Sequence, residues 1–457
     1  MTYRQLLAGN ADFRRLWGGQ VVSEVGDWLN NIAVLALAIQ LAGAGSVGLA
    51  VATYAIARHL PLFIFGPVAG VVTDRVSRRR VMIAADLARA VLALGFLLAN
   101  RSGSLALIYA VGAALFSVSA FFNAAKRASI PNLVTGTEEL LAANSLSAST
   151  TAATIAVGSA LGGVVATALG RDTVFVLNAL TFLVSAEMIR RIRRPVSRTR
   201  EAPPQQERVE QKFVSVEDEA RPTSQTPSAT NAARRSPVAA YFRDFRDGLR
   251  YVRRDRLLAA VFVVAAGWGL GNGAARALYS IFGARLGVQA AAGWGAAFAP
   301  VAERPTDFGI SVLFVAMGLG GVLGAPLARR FNSGAVEGLG ARMGRSLVLD
   351  GCGLLIFSLT PSLFGAAAVL VAREMNFAIW WTAQQTLLMR RTEDAFAGRV
   401  FASYETLTTL TMVGSILISG AAADRVGIHV VAAGGGSVVI LSGLLWFALR
   451  RRGGETR

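Results

Sequence analysis

Two apolar runs, 47–65 and 81–99, are separated by a short stretch that concentrates Asp74, Arg75, Arg78, Arg79 and Arg80. At ~1.5 Å of rise per residue, a run of this length crosses a hydrocarbon layer of about 30 Å as a helix. Backbone polar groups facing lipid have to be bonded internally, so such runs fold as helices packed side by side. The knot of charge between them therefore marks a turn at a membrane surface, and its positive sign predicts the cytoplasmic side.

The same alternation continues along the chain. Of its 457 residues, 53% are hydrophobic and only 16% charged, where a soluble domain carries about a quarter. The excess comes in blocks of about twenty, which predicts an all-α integral membrane protein with many spans. A net charge of +18 would suit nucleic acid. The basic residues, however, gather at block ends and in one linker, where lipid headgroups are the natural partner, so no nucleic acid is expected. The only lysines, Lys126 and Lys212, lie outside any Gly-x-x-x-x-Gly-Lys-Ser/Thr loop, so the chain has no phosphate-cradling ATPase motif of its own. Cys352 is alone, and His59 and His429 are far apart, which argues against disulfides and zinc. No nucleophile–base constellation stands out. Neither enzymatic activity nor a cofactor or metal is expected. The first apolar segment is long and interrupted by polar residues, unlike a cleavable signal peptide.

Twelve spans are expected, at about 16–41, 46–72, 81–99, 105–125, 140–169 and 173–190, then 257–285, 309–327, 346–360, 363–388, 400–423 and 428–449. Residues 1–192 form one six-helix bundle and 256–457 a second. Between them, 193–237 is rich in Pro, Gln, Ser, Glu and Arg and reads as a disordered cytoplasmic linker. Residues 238–255 alternate apolar and arginine positions with helical spacing, which predicts an amphipathic helix on the inner leaflet. The halves repeat one another. Gly70–Arg75 matches Gly324–Arg329, Phe121–Ala124 matches Trp380–Ala383, and Gly158–Leu161 matches Gly414–Leu417, at nearly constant offset. Arginines crowd alternate loops, placing both termini inside.

Gly70, Asp74, Arg75, Arg78 and Arg79 resemble the signature loop between the second and third helices of the major facilitator superfamily. Ser77 stands where that family usually has glycine. The stretches FRRLWGGQVVSEVGDW, FFNAAKRASIPNLV and GRVFAS resemble its efflux branch, the group of macrolide and enterobactin-type siderophore exporters. The resemblance implies a major facilitator fold of two pseudo-symmetric bundles. It also implies a monomeric carrier in the bacterial inner membrane, driven by a proton gradient and exporting a drug-like or amphiphilic small molecule by alternating access. A siderophore or lysophospholipid carrier is the alternative, and a non-transporting scaffold or sensor is the alternative of another class.

Ionisable groups in the apolar layer cost roughly 2.5–3.5 kcal/mol and mark function. Asp27, with Glu24 as second choice, is the candidate proton carrier. The two lie three residues apart, on one helical face about nine to twelve residues into the first span. A structural ion pair with Arg58 is the competing reading. Arg58, His59, Asn272, Arg276, Arg373, Glu374 and Asn376 are cavity candidates. The resemblance further implies that Asp74 latches onto the start of the eleventh helix at Gly398 and Arg399. The helix-five glycines Gly158, Gly162 and Gly163 resemble an exporter signature, and close helix packing explains them equally.

Overall fold

A computed structural model describes residues 2–43, 45–194, 237–294, 299–332 and 338–452. The expected linker therefore lies almost wholly outside the described residues. The helices are α1 (Tyr3–Gly9), α2 (Ala11–Leu41), α3 (Val47–Arg75), α4 (Arg78–Ser102), α5 (Leu105–Leu133), α6 (Gly136–Leu169) and α7 (Arg171–Arg190). After the linker come α8 (Pro237–Val252), α9 (Arg256–Trp294), α10 (Ala299–Glu303), α11 (Pro305–Asn332), α12 (Leu339–Leu359), α13 (Leu363–Arg391), α14 (Asp394–Val426) and α15 (Ile428–Arg452). Eleven of the described helices are long and apolar enough to cross a membrane. The ninth span, α12, carries Arg342, Arg345 and Asp350, and packs against α13 and α15.

Pairing is the same in both halves. In the first, α2 packs on α6 and α7, α3 on α5, and α4 on α5 and α7. In the second, α9 packs on α14 and α15, α11 on α13, and α12 on α13 and α15. The second set is the first moved by six spans, which is the geometry an internal duplication produces. Even the connections agree. Gly170, between α6 and α7, and Gly427, between α14 and α15, both have φ of 90°, a conformation that suits glycine because it lacks a Cβ.

Polar side chains close the ends. Asn10 accepts from the Phe13 amide at 2.9 Å to cap α2, while its own amide reaches the Leu133 carbonyl at 2.7 Å. Asp12 accepts from the backbone amides of Arg193 and Arg194 at 3.1 and 3.0 Å, fastening the exit of the first bundle to its start. Asp255 caps α9, accepting from Leu257 and Leu258 at 2.7 and 3.1 Å. Such caps satisfy amides that a helix leaves unbonded.

The halves meet through α6 against α11 and α3 against α14. One buried apolar cluster runs through both halves on the side of the membrane away from the arginine-rich loops, including Leu35, Phe96, Phe282 and Phe357. Toward the arginine-rich face the core divides, with Leu16, Met82 and Leu133 in one half and Leu258, Leu347 and Trp446 in the other.

Several boundaries correct the sequence reading. The region 287–307, read as an outer loop, continues α9 as far as Trp294 and then holds α10 and the start of α11. Lys126, read as a loop residue, lies inside α5. α8 spans most of the stretch read as an amphipathic helix and docks on α14: the Ser403 hydroxyl donates to the Phe245 carbonyl at 3.0 Å, and Tyr251 stacks on Phe396 at 4.6 Å between centroids.

Candidate transport site

Between the halves lies a cavity of about 200 Å³ to which both bundles contribute. From α2 and α3 it takes Trp28, Asn31, Tyr54, Arg58 and His59, and from α9 and α11 it takes Arg276, Tyr279 and Phe314. Trp28 and Phe314 face each other across the divide with ring centroids 6.0 Å apart. The sites repeat along each helix at turn spacing: Trp28 and Asn31 share a face of α2, as Arg276, Tyr279 and Ser280 share a face of α9.

Arg58 hydrogen-bonds the Asn31 side-chain oxygen and sits 4.8 Å from the Trp28 ring centre and 4.9 Å from that of Phe116. Aromatic faces hold a guanidinium in place without neutralising it. Arg276 is exposed and makes no ion pair or hydrogen bond among the described residues. Asp27 likewise has no such partner there. Its charged neighbours are Arg89, Arg58, Glu24 and Asp86. Glu374, which is not in the cavity lining, has Arg276, Arg373 and Asp350 around it.

The other expected residues are placed differently. Arg58 is not the counter-charge of Glu24; that role falls to Lys126, whose Nζ lies 3.3 Å away, with Gln20 at 2.8 Å and Thr154 at 3.2 Å also donating to Glu24. Arg373, expected at the cavity, is 4% exposed inside the second bundle. It pairs with Asp350 at 2.9 Å, donates to Asn272 at 3.0 Å and also hydrogen-bonds Tyr279. Asn272 in turn donates to Asp350 at 2.9 Å, and Asn376 donates to the Ser346 carbonyl at 2.8 Å. Arg373 and Asn272 are therefore held within the bundle by a carboxylate, Asp350, that the sequence reading passed over, and Asn376 by a backbone carbonyl. A matching cluster in the first bundle was also missed. Arg89 is ion-paired to Asp86, which accepts from Ser185 at 2.7 Å, and the guanidinium lies 4.0 Å from the Phe122 ring centre. Charged residues inside apolar spans were the available signal for all three.

The two faces of the molecule differ. Away from the arginine-rich loops the halves are latched. Asp424 of α14 accepts from the Gly48 and Leu49 amides of α3 at 2.7 and 2.9 Å. Arg171 of α7 pairs with Asp307 of α11 through two bonds of 3.0 and 2.8 Å, and the Ser311 hydroxyl donates to the Ser159 carbonyl at 2.7 Å. At the arginine-rich face, a Cβ added to Gly66, Gly70 or Gly398 would meet open space. Asp74 is 75% exposed, with Arg78 at 4.0 Å. The expected latch onto Gly398 and Arg399 is not made, and its premise needs correction. α14 begins at Asp394, so those residues lie past the first turn, where amides are already bonded within the helix.

The helix-five glycines sit where chains approach most closely. A Cβ on Gly158 would come within 2.7 Å of the Val25 carbonyl, and one on Gly162 within 2.8 Å of that of Leu29. Gly163 faces the other half, 2.0 Å from Ser311 Oγ on the same construction.

A family model described as Major Facilitator Superfamily matches residues 16–415. The chain is 24% identical over 435 residues to "Uncharacterized MFS-type transporter YfiS" of Bacillus subtilis strain 168, covering 94% of this chain and 91% of that protein. It is also 24% identical to "Putative bacilysin exporter BacE" of Bacillus subtilis, covering 79% and 77% respectively. Among solved structures it resembles a mutant of the nucleoside transporter NupG, with a TM-score of 0.62 at 11% identity and coverage of 95% and 99%. A bacterial homologue of the iron transporter ferroportin in an inward-facing state gives 0.62 at 14% identity, covering 96% and 98%.

Proposed function

This chain belongs to the Major Facilitator Superfamily, a family of multi-pass membrane transporters rather than enzymes, and on that premise we propose that it exports an amphiphilic, drug-like small molecule in exchange for protons. The observation that carries this reading is the central cavity, where Arg58 and Arg276 stand among Trp28, Tyr54, Tyr279 and Phe314. Guanidinium groups beside aromatic walls suit a cargo that has a flat or apolar body and a carboxylate or phosphate. The same cations keep an anionic siderophore or a lysophospholipid as the second reading. Likeness to a relative named as an exporter favours outward movement.

Asp27 is the proposed proton carrier. It is close enough to Arg58 and Arg89 to feel both charges, so a change of spacing between the spans alters how strongly it holds a proton. The open face is the cytoplasmic one in this reading, with both termini inside a bacterial inner membrane. The carrier acts as a monomer, and α8 lies along the inner leaflet.

The test uses purified protein in sealed vesicles with a pH-sensitive dye inside. Acidic amphiphiles are added to the wild type and to Asp27→Asn. Cargo-evoked proton movement is expected for the wild type and lost in the variant. Cargo crossing without proton movement would reduce the reading to a uniporter or a carrier coupled to another ion.

A further inference from the structure

Where α9 begins and α13 and α15 end, a cavity of about 310 Å³ is lined by Arg254, Arg256, Arg391 and Arg450. It is distinct from the central cavity and shares none of its residues. Asp255 is the one carboxylate in its lining, and both of its short contacts go to the amides that open α9. Leu257 and Leu449 form part of the wall. The pocket therefore sits at the level where apolar spans start and stop.

Arginines at helix ends have an ordinary explanation, which does not reach every member of this set. Arg391 and Arg450 lie in or beside the last turns of α13 and α15, where a cation complements the negative end of the helix dipole. Arg254 lies in the turn between the end of α8 at Val252 and the start of α9. Arg256 is the first residue of α9, an end where the dipole disfavours a cation. Both are exposed and neither has a side-chain partner among the described residues. The one lining carboxylate is engaged by backbone amides, so an anion in the cavity is the complement that Arg254 and Arg256 lack. The planar, forked geometry of arginine matches phosphate oxygens two at a time.

We propose that this pocket binds a phosphate group, supplied by the headgroup of an anionic phospholipid whose acyl chains run down past Leu257 and Leu449. The site lies on the second bundle alone and needs no particular state of the central cavity.

The experiment titrates the full chain in mild detergent with phosphatidylglycerol, and counts bound lipid by native mass spectrometry. One arm replaces the lipid with phosphatidylcholine and another with water-soluble glycerol phosphate. Each arginine near a membrane surface contributes about fivefold to the affinity for an anionic lipid. The pair Arg254→Gln/Arg256→Gln is thus expected to weaken phosphatidylglycerol binding by about 25-fold, and Arg256→Gln alone by about fivefold. The pair Arg243→Gln/Arg246→Gln removes the same charge from exposed positions on α8 and is expected to change it less than twofold. Unchanged melting temperatures would show that all variants fold, and the single variant serves if the pair does not. An equal loss in the α8 pair would overturn the proposal in favour of diffuse surface charge. Glycerol phosphate binding as tightly as the lipid, or phosphatidylcholine as tightly as phosphatidylglycerol, would overturn it as well.

Discussion

The carboxylate of Asp424 caps a helix that belongs to the other half of the molecule: its two oxygens take the amides of Gly48 and Leu49 at 2.7 and 2.9 Å. A negative group at a helix N-terminus gains from both the free amides and the dipole, together about 1 kcal/mol. Because donor and acceptor lie in different bundles, that energy is available only while this face is closed. Asp424→Ala should therefore shift the equilibrium about fivefold toward opening here. Ser280→Cys, at a residue that lines the central cavity, in a Cys352→Ser background would report it as a faster rate of alkylation by a membrane-impermeant reagent. An unchanged rate would show that the cap does not set the gate.

Gly318 tests the same closure by shape. A Cβ there would fall 2.3 Å from the Ala156 amide nitrogen and 2.6 Å from its Cα. Backbone atoms cannot rotate aside, so Gly318→Ala should push α6 and α11 apart and reduce transport by at least tenfold, with normal expression. Gly66→Ala, whose Cβ would meet open space, should leave transport within about twofold and gain helix propensity. Vesicle uptake with equal amounts of each variant compares them directly.

Asp350 and Arg373 are 6% and 4% exposed and bonded at 2.9 Å. Removing one member of a buried pair leaves the other charge uncompensated, at a typical cost of about 3–5 kcal/mol. Asp350→Asn or Arg373→Leu should lower the melting temperature in detergent sharply. The double variant Asp350→Leu/Arg373→Leu should recover at least half of that loss. If the singles melt like the wild type, the pair has no structural role.

Arg276 should behave in the opposite way. It is exposed, faces the central cavity and has no bonded partner among the described residues, so Arg276→Gln should alter stability by less than about 0.5 kcal/mol. A charged hydrogen bond to an anionic cargo contributes about 1.5–3 kcal/mol, so affinity for such a cargo should fall by about 10- to 100-fold. Equilibrium binding with an acidic and a neutral amphiphile of similar size distinguishes the effects, since the neutral compound should bind nearly as before.

The bundle was easy to read from sequence because its signals are local and long. Apolar runs near bilayer length mark spans, and repeated glycine motifs pair the halves before any contact is known. The chemistry was harder because it depends on which helices face one another. Arg58 next to Asp27 looks like an ion pair when only depth is counted. In the bundle, Arg58 turns toward Asn31 and Trp28, while Lys126, one helix away, reaches Glu24. Arg373 and Glu374 adjoin in sequence, yet only Arg373 bonds Asp350 directly, because neighbours on a helix diverge by about 100°. Asp86 and Asp350 were visible as charges in apolar spans, but only packing shows that each has a guanidinium waiting. Gly398 and Arg399 failed as a helix start for a smaller reason: Asp394 begins the helix one turn earlier.

Much of the closed face is made from main-chain atoms: the Gly48 and Leu49 amides, the Ser159 carbonyl, and the tight approach of Gly420 to the Gly48 carbonyl. The cavity walls, by contrast, are made from side chains. Substitutions in the cavity walls can therefore alter cargo preference one residue at a time while leaving the main-chain contacts of the seal untouched. The few side chains that do join the seal, Asp424 above all, are the positions where that freedom ends.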